Sequence, residues 1–401
     1  MSFPKYPAYK ESGVEWIGEI PEGWKLLPFK RIAVAHYGES LKSEEREDNG
    51  NIPVYGSNGI VGYHNHSNSC APTIFIGRKG SVGALTWSVQ AGFAIDTVYY
   101  VSINPTFDMR WLYWCLQTLH LNKLSQDTGV PGLSREILYE RILALPSTPE
   151  QKAIAIFLDR ECTKIDALIE EQERLIILLQ EKRQAVISHA VTKGLEPNVP
   201  MKESGIEWIG EIPKQWEIFK LRRLTHLKSG DAITSEQFND ESPYPVFGGN
   251  GIRGYTHNFN CRGTFPIIGR QGALCGNITV SSGNFWASEH AIVVYPKISY
   301  EPLWMANLLE NMRLNQYSLS AAQPGLAVER IMDLFIPVPP HNEQKEIVTF
   351  ISKEIEKNIK IKIASKNTIS LLKERRSALI SAAVTGKIDV RTLVKPKDIA
   401  A

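Results

Sequence analysis

Residues 10–24 read KESGVEWIGEIPEGW, and residues 202–216 read KESGIEWIGEIPKQW. Three of these fifteen positions differ: Val14 against Ile206, Glu22 against Lys214, and Gly23 against Gln215. The likeness continues at the same separation of 192, with PVYGSNGIVGY (53–63) against PVFGGNGIRGY (245–255) and IGRKG (76–80) against IGRQG (268–272). One inserted residue then changes the separation to 193. Trp111 now matches Trp304, PGL at 131–133 matches PGL at 324–326, and EQK at 150–152 matches EQK at 343–345. Near the ends, LLQEKRQAVISHAVT (178–192) matches LLKERRSALISAAVT (371–385). A period near 190 residues is too long for a solenoid unit. It implies two copies of a domain with an appendage, and hence an approximate two-fold. What both copies keep serves a shared purpose, and what they change is free to serve different ones.

Each copy divides into a globular part and a helix. Residues 25–147 and 217–340 are rich in Gly, Pro, Tyr, Val and Thr. Alternating runs such as DTVYYVSI (96–103) and HAIVVYP (290–296) read as strands. A helix is expected over 107–124 and over its counterpart 300–317. Thr148-Pro149-Glu150-Gln151 has the form of a capping box, with Thr at N-cap, Pro at N1 and Gln at N3. No breaker follows until Gly194. Apolar residues recur at Ile154, Leu158, Ile165, Leu168, Leu175, Leu179 and Val186, and in the second copy at Ile347, Ile351, Ile361, Leu372 and Leu379. Asn358, Ser365, Thr368 and Arg375 weaken the second seam, and Ile355, Ile359 and Ile363 suggest that its stripe drifts.

Two such helices, each about 60 Å or more at about 1.5 Å per residue, are expected to pair as a coiled coil. Connectivity makes the pair antiparallel. The expected fold class is therefore α+β: two mixed α/β domains separated by long antiparallel coiled-coil helices, with a pseudo-two-fold repeat. The boundaries are residues 1–147, a spacer helix over 148–194, a second domain over 195–341, and a second spacer helix with a tail over 342–401. The plainer alternative is that the helices join separate chains.

Composition narrows the function. Of 401 residues, 43% are hydrophobic and 22% charged, as in ordinary globular chains, and the net charge of +2 argues against a histone-like polycation. Five scattered cysteines without a CxxC suit a reduced, cytoplasmic chain. The N-terminal residues lack a signal-type apolar core, and the run LIILL (175–179) is too short to span a bilayer. There is no GxxxxGK[ST] phosphate loop. NPTF (104–107) lacks the second proline of an amine-gripping methyltransferase loop and reads as a turn. His64, His66 and Cys70 invite a metal, but the second copy offers only His257 and Cys261.

The positive signal lies in glycine-rich loops. GSNG (56–59) and GGNG (248–251) allow positive φ and close approach of a ligand. GRKG (77–80) and GRQG (269–272) place Arg78 and Arg270 between glycines, followed by Lys79 or Gln271. Arginine suits guanine edges and phosphates, and glutamine suits adenine. The residue before PGL switches from Val130 to Gln323, as in a fixed loop with a variable reading position, or a plain structural turn.

These strips, GRKG and GRQG, PGLS, and P(x)3EQK leading into a long helix that ends SHAVTKG or SAAVTGK, resemble the specificity subunit of type I restriction–modification systems, in the family's order and twice over. The resemblance implies two target-recognition domains, each reading one half of a bipartite double-stranded DNA target, with helices fixing the gap. It implies no catalysis and no cofactor or metal in this chain. Two modification subunits would use S-adenosylmethionine to methylate adenine, and restriction subunits would use ATP and Mg2+ to translocate and cut. The DNA-facing residues expected on this basis are Asn58, Arg78 and Lys79 in the first domain, and Asn250, Arg253, Arg270 and Gln271 in the second. Ser134 becomes Ala327, so a hydroxyl contact there does not carry over. The other readings open to the sequence are a scaffold that never touches DNA and a stand-alone methyltransferase or nuclease.

Overall fold

The computed structural model describes residues 3–47, 49–124, 132–272, 274–318 and 325–395. The chain forms two compact units, one from residues 1–172 with 367–401, the other from 173–366. Seven helices carry labels here: α1 (Met109–Gln117), α2 (Arg135–Tyr139), α3 (Thr148–Lys193), α4 (Leu221–Leu224), α5 (Pro302–Asn311), α6 (Val328–Met332) and α7 (His341–Val384).

In the first unit a four-stranded antiparallel sheet runs Ala33–Tyr37, Val98–Ile103, Thr73–Gly77, Leu85–Ser88. Thr73–Gly77 is buried along its whole length, as a central strand reading TIFIG must be. A second sheet runs Gly59–His64, Ile52–Gly56, Phe93–Ala94, its last pairing parallel. The second unit repeats both sheets, as Thr225–Ser229, Ala291–Pro296, Phe265–Gly269, Ile278–Ser281, and as Gly251–Thr256, Tyr244–Gly248, Asn284–Ala287, Cys261–Arg262. No helix among the described residues is long and apolar enough to cross a membrane. All five cysteines are free thiols.

The helices α3 and α7 run antiparallel within each unit. In the first, the beginning of α3 (Ile154, Leu158, Ile165) shares a core with the end of α7 (Leu379, Ile380, Ala383), and Arg376 Nε reaches Asp166 Oδ1 at 2.8 Å. In the second, the end of α3 (Ile187, Val191) packs with the beginning of α7 (Ile347, Ile351). The expected seams need correction. Leu168 is exposed and Ile169 turns inward in its place, because a straight helix drifts from a strict seven-residue repeat. Ile359 and Ile363 are exposed, while polar Asn358 and Ser365 are buried, so the second stripe keeps its course through polar residues.

The repeated EQK has a structural role. Gln151 and Gln344 are only 1% and 3% exposed. Gln151 Nε2 donates to Pro146 O at 3.0 Å, and its Oε1 accepts from Asp108 N at 2.9 Å. Gln344 repeats both bonds, to Pro339 O at 3.0 Å and from Glu301 N at 2.9 Å. Each amide ties the start of a long helix to the N-cap of a short one. The expected capping box is therefore overturned: Gln151 faces across to α1, and Thr148 Oγ1 donates to Thr106 O at 2.9 Å. The helix expected over 107–124 also breaks. After α1 the chain passes through His120 at φ 46° into a 3-10 turn, and Arg313 at φ 48° does the same after α5. Gly83 and Gly276 let these turns pack closely, since a Cβ on either would lie 2.4 or 2.5 Å from the backbone N of Asn122 or Asn315.

The repeated opening strip folds over the junction of helix start and helix end. Residues 10–24 contribute the hairpin Tyr9–Glu11/Glu19–Pro21 and buried Ile17, Ile20 and Trp24. Gly386, just past α7, has φ 75°, and a Cβ there would meet Pro21 Cδ at 2.3 Å. In the second unit Gly194, just past α3, lies against Trp216 and Pro213. The first junction is closed by Tyr6 Oη donating to Glu150 Oε1 at 2.6 Å and by Asp389 N donating to Pro4 O at 2.8 Å.

Truncating the latch leaves two backbone groups without partners in a dry site, at about 1–3 kcal/mol each. Gln151→Ala is expected to destabilise the chain by about 3 kcal/mol, seen as a lowered urea midpoint. An exposed control, Lys152→Ala, should leave the midpoint unchanged.

Candidate nucleic-acid interface

Three loops that are far apart in sequence meet in each unit. In the first, Ser57-Asn58 is a two-residue hairpin turn, with Gly56 opposite Gly59 and Gly59 at φ 109°. The central strand Thr73–Gly77 ends beside it. A Cβ on Gly77 would lie 2.1 Å from Ser81 O and 2.8 Å from Ser57 O, so only glycine lets the two loops touch. The third loop joins through an antiparallel bridge between Lys79 and Gly132, and Leu133 N donates to Arg78 O at 2.9 Å.

The second unit builds the same cluster. A Cβ on Gly269 would stand 2.0 Å from Gly249 O, Gln271 pairs with Gly325, and Leu326 N donates to Arg270 O at 2.9 Å. Val130 and Gln323, the expected reading positions, lie outside the described residues, as do Pro131 and Pro324.

On these loops the side chains differ. Asn58 and Lys79 are exposed, and Arg78 is half-buried. The Arg78 guanidinium carbon sits 4.8 Å from the Tyr37 ring centre, and its Nη1 donates to Asp96 O at 3.2 Å. Arg135, the first residue of α2, lies 4.8 Å from the same ring. In the second unit Asn250 Oδ1 accepts from Asn277 Nδ2 at 2.7 Å. Arg253, on the strand leaving the turn, folds back over Gly248, whose Cβ would meet Arg253 Cδ at 2.1 Å. Gln271 Oε1 is 3.0 Å from His290 Nδ1, and His290 Nε2 is 3.1 Å from Glu289 Oε1. Arg270 has no side-chain partner among the described residues. The structure thus gathers Asn58, Arg78 and Lys79 around one cluster, and Asn250, Arg253, Arg270 and Gln271 around the other.

None of Arg78, Lys79, Arg135, Arg253 or Arg270 forms an ion pair among the described residues. Uncompensated cations on glycine-shaped backbone suit a polyanion. Burial, reinforced by the neighbouring Tyr37, pushes the Tyr99 phenol up to about 12, so it stays protonated and donates to Leu133 O at 2.8 Å. Tyr37, Arg135 and His290 were missed in the sequence. Arg135 alone had a signal, as the residue following PGLS. Ser134 caps α2, accepting from Glu136 N, and Ala327 precedes α6 without a side-chain cap, so the hydroxyl has a structural role in the first unit alone. Asn104 accepts from Thr106 N and Oγ1 ahead of α1, so NPTF forms a local turn. No group of three His, Cys, Asp or Glu residues able to hold a metal ion occurs among the described residues.

The family model for the type I restriction modification DNA specificity domain matches the chain twice, over residues 21–176 and 213–371. The chain is 41% identical over 263 residues to the type I restriction enzyme EcoprrI specificity subunit of Escherichia coli. That alignment covers 63% of this chain and 62% of the relative, less than two thirds of the relative's length. It is 23% identical over 354 residues to the type I restriction enzyme MjaVIII specificity subunit of Methanocaldococcus jannaschii, covering 81% and 78%. Among solved structures, a chain from work on complex assembly and conformational transition of the type I R-M system is similar with a TM-score of 0.72 at 15% identity, over 92% of this chain and 99% of that one. The HsdS subunit from Thermoanaerobacter tengcongensis gives 0.55 at 14% identity, over 94% and 100%. At these identities the structural likeness speaks to the fold.

Gly269→Ala should force the second unit's two loops apart and cost about 1–3 kcal/mol, as overpacking does. Gly23→Ala, where a Cβ meets nothing within 4 Å, should cost little. Urea unfolding of both variants checks the difference.

Proposed function

The chain belongs to the type I restriction–modification DNA specificity family, and from that premise we propose how it works. Each unit's three-loop cluster contacts one half of a bipartite DNA target. Phosphate contacts position the duplex and a few loop side chains read base edges. Methylation and cleavage belong to partner subunits, which use S-adenosylmethionine, and ATP with Mg2+. The observation that carries this reading is the pair of clusters: one backbone construction, made by the same glycine contacts and the same loop bridges, bearing different side chains. A scaffold with no reading role gives no reason to keep the frame and change its tips.

The helices are proposed to set the gap between half-sites. α3 is one unbroken helix of 46 residues and α7 one of 44, so length is stored in rigid elements. The shared surfaces are proposed to dock two copies of one modification subunit. Core packing accounts for Ile17, Ile20 and Trp24, but it does not account for the exposed part of the strip. Trp16 and Trp208 are 41% and 37% exposed, and Glu11, Glu15, Glu19 and their repeats Glu203, Glu207, Glu211 are exposed around them. An exposed indole on a strip rich in exposed carboxylates suits an apolar slot with a basic rim.

Two outcomes follow. Arg270→Ala, reconstituted with modification subunits, should alter or relax recognition of one half-site and leave the other unchanged. Mapping of methylated adenines reads this directly, and an identical methylation pattern would remove Arg270 from the interface. Trp16→Ala and Trp208→Ala should each reduce bound modification subunits from two to one, and the double variant should bind none, as counted by native mass spectrometry.

A further inference from the structure

We propose that Arg78 and Arg135 form a DNA-phosphate clamp mounted on the ring of Tyr37, present in the first unit and absent from the second. The inference rests on the half-site reading above. Tyr37 ends the strand Ala33–Tyr37 and lies opposite Tyr99 in register, with ring centres 5.1 Å apart. The Arg78 and Arg135 guanidinium carbons each stand 4.8 Å from the Tyr37 ring centre, and Tyr99 and Tyr139 extend the aromatic floor at 5.9 and 5.7 Å. Two cations on one ring lie within about 10 Å of each other, roughly the Debye length at 0.1 M salt, so they repel in the free protein.

Among the described residues no ion pair relieves that repulsion. Neither arginine forms an ion pair among the described residues, and Arg135 Nε is buried without a hydrogen-bond partner. The carboxylate nearest in sequence, Glu136, accepts from the Ser134 hydroxyl at 2.5 Å, and this bond, with a lesser pull from Arg135, holds it below the usual carboxylate range, but it forms no ion pair with either arginine. A base edge is neutral and offers no charge to two guanidiniums. A backbone phosphate does, and its oxygens match guanidinium donors. The clamp also adjoins the reading loops, since Leu133 N donates to Arg78 O and Tyr99 Oη donates to Leu133 O.

The second unit lacks every part except one arginine. By strand register and helix position, Ser229, Ile292 and Val328 stand where the first unit has Tyr37, Tyr99 and Arg135. Arg78 and Arg135 are thus contact residues, and Tyr37 is a positioning residue. The first half-site should be held by a fixed phosphate grip that the second does without.

The test uses the full complex with modification subunits and a duplex carrying the target mapped by adenine methylation. Binding is followed by fluorescence anisotropy from about 50 to 200 mM KCl, a range over which phosphate contacts dominate the salt slope. Arg135→Gln should lower the slope of log K against log salt by about 1 and weaken binding about tenfold, with the methylated sequence unchanged. Arg135→Lys should restore the slope. Tyr37→Phe should behave as the wild type, and Tyr37→Leu should lose part of the affinity. A neutral methylphosphonate at one phosphate flanking the first half-site should erase the difference between wild type and Arg135→Gln, while the same change at the second half-site should not. An unchanged slope in Arg135→Gln, with specific wild-type binding, overturns the clamp and leaves the half-site reading standing. Absence of sequence-specific binding by the wild-type complex overturns both.

Discussion

A glutamine amide in a dry core must satisfy both of its ends, and this requirement organises both units. Gln151 meets it by spanning Pro146 O and Asp108 N, which sets where α3 begins and how it is turned relative to α1. α1 is held further by Asp159 of α3, which accepts from Arg110 Nε and Trp114 Nε1, both at 2.8 Å. Buried Trp111 then fixes α1 in the main core, and the central strand that ends in Gly77 belongs to the same core. The loops therefore inherit their position from the latch. Gln344 does the same for α7, α5 and Gly269.

The duplication separates two kinds of demand on one chain. Residues repeated in the interior include the buried Trp111 and Trp304, the EQK glutamines with their two buried bonds each, and the glycines at the loop contacts, where a Cβ would clash. Residues that diverged stand on a backbone that does not depend on them. Arg78 can give way to Arg270 without its aromatic floor, and Lys79 to Gln271 with its histidine neighbour, because loop shape is held by main-chain contacts in both cases. On the proposed reading, recognition can thus change without refolding the unit.

Much of this was legible in the sequence, for identifiable reasons. Both long helices announce themselves by their apolar spacing, and the first also by Gly194, one residue past the end of α3; the end of α7 at Val384 was not marked in the sequence. The three loops were each visible as Gly-rich or Pro-Gly segments. Their convergence was not, since it depends on a Cβ-free approach between Gly77 and Ser57 that no local pattern records. The capping box at Thr148 misled because the same four residues serve a tertiary bond that is stronger in a buried site than a local cap. Ile359 and Ile363 misled because periodicity counts apolar residues, whereas Asn358 and Ser365 are buried at the seam positions that the spacing assigns to them. Tyr37 and Arg135 are 98 positions apart and touch only once the sheet and α2 are in place.

A net charge of only +2 over 401 residues gives little long-range attraction for a polyanion. Whatever pull the chain exerts on DNA, on the proposed reading, must come from cations left without carboxylates, acting within about a Debye length. Some cations elsewhere are spent internally: Arg376 pairs with Asp166, Arg110 with Asp159, Arg391 with Asp389, and Lys220 and Arg222 with Asp333. At the loops this pairing stops. In the first unit the free cations are held by rings that cannot neutralise them, and in the second Arg253 is folded across Gly248 toward the same cluster. On that reading the loop cations meet a polyanion because glycine-shaped backbone leaves room for its approach, not because the chain carries a large excess of charge.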